Sequence, residues 1–200
     1  MLAKSPNPIE TAIRTELGLR TNVGIDWKSP RASDDNAEYR DGTFLEVLGL
    51  DRLKDDLRKF WPSRGPQWDA LGVTSDGKVI LVEAKAHLSE MLSSCAAGPR
   101  SREIIDLALR STKAFYRAES SSDWTKGYYQ YANRLAHLNF MRQHHVDAHL
   151  VFIYFLNVED VRGPNSATEW DEALDDCYSK LGLAKKRSID CVHSIFIDVA

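Results

Sequence analysis

The strongest constraint on the fold is the segment from Pro66 to His87, PQWDALGVTSDGKVILVEAKAH. A turn-forming SDG triplet separates two apolar runs, which is typical of a β-hairpin. The second run ends in the sequence EAK, which places Glu83 and Lys85 two residues apart. Because alternate residues of a strand point to the same face, these two charges share a face with Val79 and Leu81. Two charges on an apolar strand face indicate a site.

The register of this hairpin decides whether Asp69 joins the two charges. With a two-residue turn at Asp76-Gly77, Asp69 lies opposite Ala84 and its side chain points to the other face. With a three-residue loop in which the glycine is left-handed, Asp69 lies opposite Glu83 instead. Turn chemistry permits both registers. We favour the three-residue loop because opposed residues have Cβ atoms about 5 Å apart, close enough for both carboxylates to hold one divalent ion.

Two carboxylates on one face predict a bound cation. Both cannot stay ionised cheaply without a positive charge between them, and oxygen ligands at this spacing suit Mg²⁺ or Mn²⁺. Such an ion lowers the pKa of a bound water and neutralises a phosphoryl oxygen. The ammonium group of Lys85 is suited to position that water and to stabilise charge on the phosphate. This is the chemistry of phosphodiester hydrolysis.

An aspartate on one strand and Glu-x-Lys on the next resemble the PD-(D/E)xK, or restriction-endonuclease-like, nuclease superfamily. The residues that carry the resemblance are Asp69, Glu83 and Lys85, and it covers about 43–157. The resemblance implies a central mixed β-sheet with an αβββαβ core and Mg²⁺-dependent cleavage of nucleic acid. It assigns the metal to the two carboxylates and assistance of the water to the lysine.

The chain departs from the family pattern in two respects. Trp68 stands where the family name has proline, and Pro66 lies three residues before Asp69. Only two clear strands precede the long helices, so one strand of the expected meander must be short or irregular. We expect that strand near Phe60-Trp61.

The resemblance also indicates residues on the flanking helices. Glu46, on the helix before the hairpin, would add a metal ligand or hold a metal-bound water. Gln130, on a later helix, would orient the substrate or the site. Arg134 follows Gln130 by four residues on the same helix face, from which it would contact a phosphate backbone. For each of these residues the alternative is an ordinary hydrated helix face.

The whole chain, 1–200, is predicted to form one α/β domain. Its 200 residues, 43% of them apolar, suffice for one sizeable core. We divide it into an N-terminal helix and irregular arm (1–42), the nuclease-like core (43–157) and a C-terminal helix and strand (158–200). Strands that alternate with helices predict a central sheet covered by helices.

The net charge of −3 gives no global basic field, so contact with nucleic acid would depend on local patches. DNA is the expected partner, with RNA as the alternative, and double-strand cleavage would favour a homodimer. The chain has no apolar window of membrane-spanning length and no secretory leader, and its three cysteines have no CxxC spacing. We therefore expect a cytoplasmic protein with no membrane partner.

Two other interpretations of the charged residues stay open. The same fold is able to serve as a catalytically inactive module that binds nucleic acid or protein, since fold resemblance does not establish activity. Alternatively, the three charges meet by accident, with Lys85 in a salt bridge to Asp69 at a sheet edge.

Overall fold

The computed structural model describes residues 7–184 and 189–200. The α-helices in these ranges are α1 (Pro8–Glu16), α2 (Asp41–Val47), α3 (Lys54–Phe60), α4 (Pro99–Phe115), α5 (Tyr129–Gln143) and α6 (Ala167–Leu181). The strands are β1 (Ile25–Ser29), β2 (Ala70–Thr74), β3 (Val79–Lys85), β4 (Ala148–Leu156) and β5 (Val192–Asp198). Among these helices, none is long and apolar enough to cross a membrane.

The strands form one mixed sheet in the order β1-β2-β3-β4-β5. The first three strands make an antiparallel meander, whereas β4 and β5 run parallel to β3. Parallel neighbours need long crossover connections, which α4 and α5 supply between β3 and β4, and α6 between β4 and β5. The predicted α/β class, with a central mixed sheet flanked by helices, is confirmed.

The β2-β3 hairpin has the three-residue loop that we favoured. Val73 pairs with Val79, and Leu71 pairs with Leu81. The amide of Thr74 donates to the carbonyl of Lys78 over 2.8 Å, which closes the loop. Gly77 has a φ of 93°, a conformation that residues with a side chain rarely adopt. The same register, continued by one residue beyond Ala70, places Asp69 beside Glu83.

The prediction of a third strand near Phe60-Trp61 was wrong. Phe60 ends α3, and the strand that completes the meander is β1, within the segment that we predicted to be an irregular arm. β1 pairs with β2 from Ile25 opposite Thr74 to Ser29 opposite Leu71. The IDWKS sequence of β1 does alternate, but it holds only two large apolar residues inside a polar stretch. Its strand conformation depends on pairing with residues far along the chain.

The two faces of the sheet are covered unequally. Val79 and Leu81 belong to a large apolar cluster that includes residues from α2 to α6. Ile80 and Val82 belong to a smaller cluster that α1 covers. Because side chains alternate along β3, Glu83 and Lys85 lie on the face beneath the larger helical layer. This arrangement places both charges between β3 and α5.

Candidate active-site cleft

An open cleft of about 480 Å³ lies where β2 begins and β3 ends. Asp69, Glu83 and Lys85 all line it, together with Gln130 and Arg134 of α5. Five of the six side chains that the sequence indicated therefore meet in one place. The three hairpin residues converge because of the hairpin register, whereas the two α5 residues reach the cleft through packing of that helix on the sheet.

Glu83 is buried, with 2% of the residue exposed, and both of its carboxylate oxygens are bound by cations. Oε1 accepts a hydrogen bond from Nζ of Lys85. Oε2 accepts from Nε of Arg134 at 2.7 Å and lies 2.6 Å from Nη2 of the same residue. Buried carboxylates need such compensation because removing a charge from water is costly.

Lys85 pairs with Glu83 rather than with Asp69, and β3 is an interior strand of the sheet. The expected Lys85–Asp69 salt bridge at a sheet edge was therefore wrong.

Arg134 is fully engaged rather than free to meet a ligand. Only 3% of the residue is exposed. Nη1 donates to Oδ1 of Asn133 at 2.8 Å, and Nη2 donates to the carbonyl of Gln67 at 3.0 Å. The guanidinium also lies 5.1 Å from the ring centroid of Trp68, a cation-π contact. The structure thus uses Arg134 as the counter-ion of Glu83, a role that spacing along α5 alone did not indicate.

Asp69 has different electrostatic surroundings. Its Oδ2 accepts a hydrogen bond from the amide of Ala84 at 2.6 Å. Burial raises the pKa of the Asp69 carboxyl above its usual range, and the negative charge of Glu83 raises it further. Among the described residues, no lysine, arginine or histidine forms an ion pair with Asp69. This carboxylate is therefore the member of the pair without a direct ion-pair partner among the described residues, and the nearby charge of Lys85 only partly offsets the raised pKa.

Glu38 is a cleft residue that the sequence did not indicate. It lines the cleft, and its carboxylate accepts a hydrogen bond from Nε2 of Gln67 at 2.9 Å. Its negative charge also contributes to raising the pKa of Asp69. Glu38 reaches this position because Tyr39 pairs with Trp68 in an isolated β-bridge. No local pattern in the sequence signals that long-range pairing.

The structure does not bring Glu46 to the cleft. Glu46 lies on the exposed side of α2, and 49% of its side chain is exposed. Its carboxylate forms a salt bridge with Lys54, and it is not among the residues that line the cleft. Its apolar neighbours Phe44 and Leu45 occupy the buried side of the helix. The short helix α2 directs the glutamate away from the sheet.

Gln130 lies at the start of α5, where its backbone N–H donates to Oγ of Ser93 at 2.7 Å. It lines both the open cleft and a cavity of about 10 Å³ beneath it, which Glu83 and Lys85 also line. The volume of that cavity is about that of one water molecule. Gln130 thus lines the same space as the charged groups.

The cleft fits a divalent cation in part. The chemistry of Asp69 favours it, because a half-buried carboxylate with a raised pKa and two acidic neighbours gains from a cation. The surroundings of Glu83 oppose it, because both oxygens of that carboxylate are already compensated. Within residues 7–184 and 189–200, no group of three or more His, Cys, Asp or Glu side chains is arranged to hold a metal ion. The geometry thus offers two carboxylates, one of which must exchange its partners.

Comparison with protein-family models, with curated proteins and with solved structures gives no match to this chain.

Proposed function

We propose that this protein is a metal-dependent nuclease that hydrolyses phosphodiester bonds in DNA, with RNA as the alternative substrate. The observation that carries the proposal is the convergence of Asp69, Glu83 and Lys85 at one open polar cleft, beside Gln130 of α5. The order of elements around the cleft is compatible with the αβββαβ core that the resemblance implies. In that comparison, β1, β2 and β3 form the meander, and α2 and α3 are inserted within it.

Each residue has a distinct role in the proposed reaction. Asp69 and Glu83 would hold Mg²⁺ or Mn²⁺, which would supply a more acidic bound water and neutralise charge on the phosphate. Lys85 would position the attacking water and stabilise the charge that develops on the phosphate. Gln130, at the edge of the cleft, would orient the substrate. For the Glu83 carboxylate to be available, its contacts with Lys85 and Arg134 must loosen.

A second candidate function is supported by those same contacts. A glutamate held at both oxygens by Lys85 and Arg134 suits a module that keeps the nuclease architecture without catalysis. Such a module would bind nucleic acid or protein in the cleft without a metal. The two candidates differ in whether the carboxylates take up a divalent ion and whether Lys85 is needed for turnover.

A cleavage assay separates the two candidates. Single-stranded DNA, double-stranded DNA and RNA are each incubated with the protein in Mg²⁺, in Mn²⁺ or in chelator. The nuclease proposal predicts cleavage that requires metal and that falls by at least about a hundredfold in Lys85→Ala, because that variant loses a group stabilising the transition state. The matched control is Lys78→Ala, which removes the lysine directly before β3, at the loop end of the hairpin.

Cleavage that persists in Lys85→Ala would contradict the assignment of this cleft as the active site. If no substrate is cleaved in any metal, while the protein still retains nucleic acid in a filter-binding assay with chelator, the binding-module candidate is favoured.

A further inference from the structure

A second cavity, of about 190 Å³, lies beside the cleft where the start of α2, the end of α3 and the middle of α5 meet. Asp41, Arg58, Trp61, Ser63 and His137 contribute to its lining. Its volume is below the roughly 300 to 1,000 Å³ of pockets for drug-sized ligands, so it suits a single ring system. None of the residues assigned to the proposed hydrolysis lines it.

Gly65 separates this cavity from the cleft. Gly65 lines the cleft. A Cβ on Gly65 would lie 3.2 Å from Oδ1 of Asp41, 3.3 Å from Cδ1 of Trp61 and 3.4 Å from Nε2 of His137. The carboxylate, the indole and the imidazole therefore pack closely around Gly65 and leave no room for a side chain there. Because Gly65 also lines the cleft, a ligand in the cavity would lie next to any polymer bound in the cleft.

His137 presents a hydrogen-bond acceptor to the cavity. Only 1% of the residue is exposed, and burial lowers its pKa to about 3, so the imidazole is neutral. Nδ1 lies 2.8 Å from the carbonyl of Asn133, which only accepts, so the proton is on Nδ1. Nε2 then carries a lone pair and is a hydrogen-bond acceptor, and it has no hydrogen-bond partner among the described residues.

Asp41 adds further acceptors at the same place. Its Oδ1 accepts from the amide of Gly65 at 2.8 Å, and its Oδ2 accepts from the amide of Arg64 at 3.1 Å. Each carboxylate oxygen is able to accept more than one hydrogen bond, so capacity remains on both. Two acceptor groups that face the same space select a ligand with several N–H donors close together.

The remaining walls favour a flat ring that carries an anion. Trp61 is buried and supplies an apolar aromatic surface. Arg58 lines the cavity with a guanidinium whose partner is Asp55, and both side chains are more than 70% exposed. An exposed pair of this kind is weak, so Arg58 is able to turn to a phosphate instead. Acceptors, an aromatic wall and an exposed cation together match a nucleotide.

We propose that this cavity binds one unpaired nucleotide whose base carries an exocyclic amino group: adenine, cytosine or guanine. The amino group donates to Nε2 of His137 and to the carboxylate of Asp41, the ring lies along Trp61, and the phosphate meets Arg58. Uracil and thymine are disfavoured because their carbonyl oxygens face the acceptors. As a recognition site for a strand in the cleft, the cavity rests on the proposed function, but nucleotide binding is measurable without cleavage.

The test is calorimetric titration of the whole protein with AMP, CMP and UMP in the presence of chelator. We expect saturable binding of AMP and CMP, and binding of UMP at least about tenfold weaker, because unpaired acceptors carry a desolvation cost. His137→Phe keeps an aromatic ring but removes the lone pair, and Gly65→Ala places a methyl group against Asp41, Trp61 and His137, which must shift to admit it. Each should weaken AMP binding by at least about tenfold. The matched control, exposed His145→Asn, should leave it unchanged.

Thermal unfolding shows whether each variant is folded, and Gly65→Ala serves as the test if His137→Phe is not. Failure of both AMP and CMP to bind would overturn the proposal, as would equal binding of AMP and UMP or saturation by methylammonium with no nucleotide binding. Nucleotide binding without cleavage of any polymer contradicts only the proposed function. Cleavage without nucleotide binding contradicts only this inference.

Discussion

Asp69 and Glu83 lie side by side in the cleft, yet their carboxylates have different partners. Glu83 is buried against Lys85 and Arg134, so its negative charge is fully compensated within the protein. Asp69 has one backbone hydrogen bond, two acidic neighbours and no ion pair among the described residues. The difference teaches that strand register brings acids together, whereas long-range partners decide which of them is available to a ligand.

The largest effect on stability is expected when Arg134, which compensates the charge of Glu83, is replaced. Arg134→Met should lower the free energy of unfolding by about 3 kcal/mol, because truncating one member of a buried pair leaves a poorly compensated charge. Urea denaturation at neutral pH measures this loss. The double variant Glu83→Gln with Arg134→Met should recover most of it. A loss below about 1 kcal/mol would mean that Arg134 contributes no more to stability than an exposed ion pair does.

A smaller effect on stability, of opposite sign, is expected when Asp69 is replaced. The folded protein holds the pKa of Asp69 above its ordinary value of 3.8, so the folded state binds more protons than the unfolded state between those two values. Stability contributed by this group is therefore lost as the pH rises from about 4 through the folded pKa. Asp69→Asn does not ionise and is still able to accept from the amide of Ala84.

The stability of Asp69→Asn relative to the natural protein should thus increase from acidic to neutral pH. Thermal unfolding in chelator across this pH range measures the difference. A stability difference that stays constant or falls as the pH rises would show that the Asp69 charge is compensated after all.

The smallest effect is expected at Glu46, which lies outside the cleft. Glu46→Gln removes an exposed ion pair with Lys54 and should change the free energy of unfolding by less than about 1 kcal/mol. Cleavage, if present, should stay within about twofold of the natural protein, because the residue touches neither carboxylate. A large loss of activity in this variant would mean that α2 rearranges to bring Glu46 into the site.

Local sequence patterns were sufficient where the structure depends on nearby residues. Gly77 and the alternation around it predicted the hairpin but permitted two registers. The observed register was favoured only because it places Asp69 beside Glu83. Sequence patterns were insufficient where the outcome depends on distant pairing. Arg134 is 51 residues from Glu83, and Glu38 reaches the cleft only through a bridge between Tyr39 and Trp68. For Glu46, helix periodicity allowed either side of α2 to be buried, and packing of Phe44 and Leu45 decided it.

A Mn²⁺ titration followed by electron paramagnetic resonance distinguishes free from bound ions and so shows whether the cleft binds a divalent metal. We predict one saturable Mn²⁺ site that is lost in Asp69→Asn, is retained in Glu46→Gln and binds Mn²⁺ more tightly in a folded Arg134→Met protein. Mn²⁺ binding that is unchanged by Asp69→Asn, or the absence of any saturable site, would contradict a metal-dependent active site in this cleft.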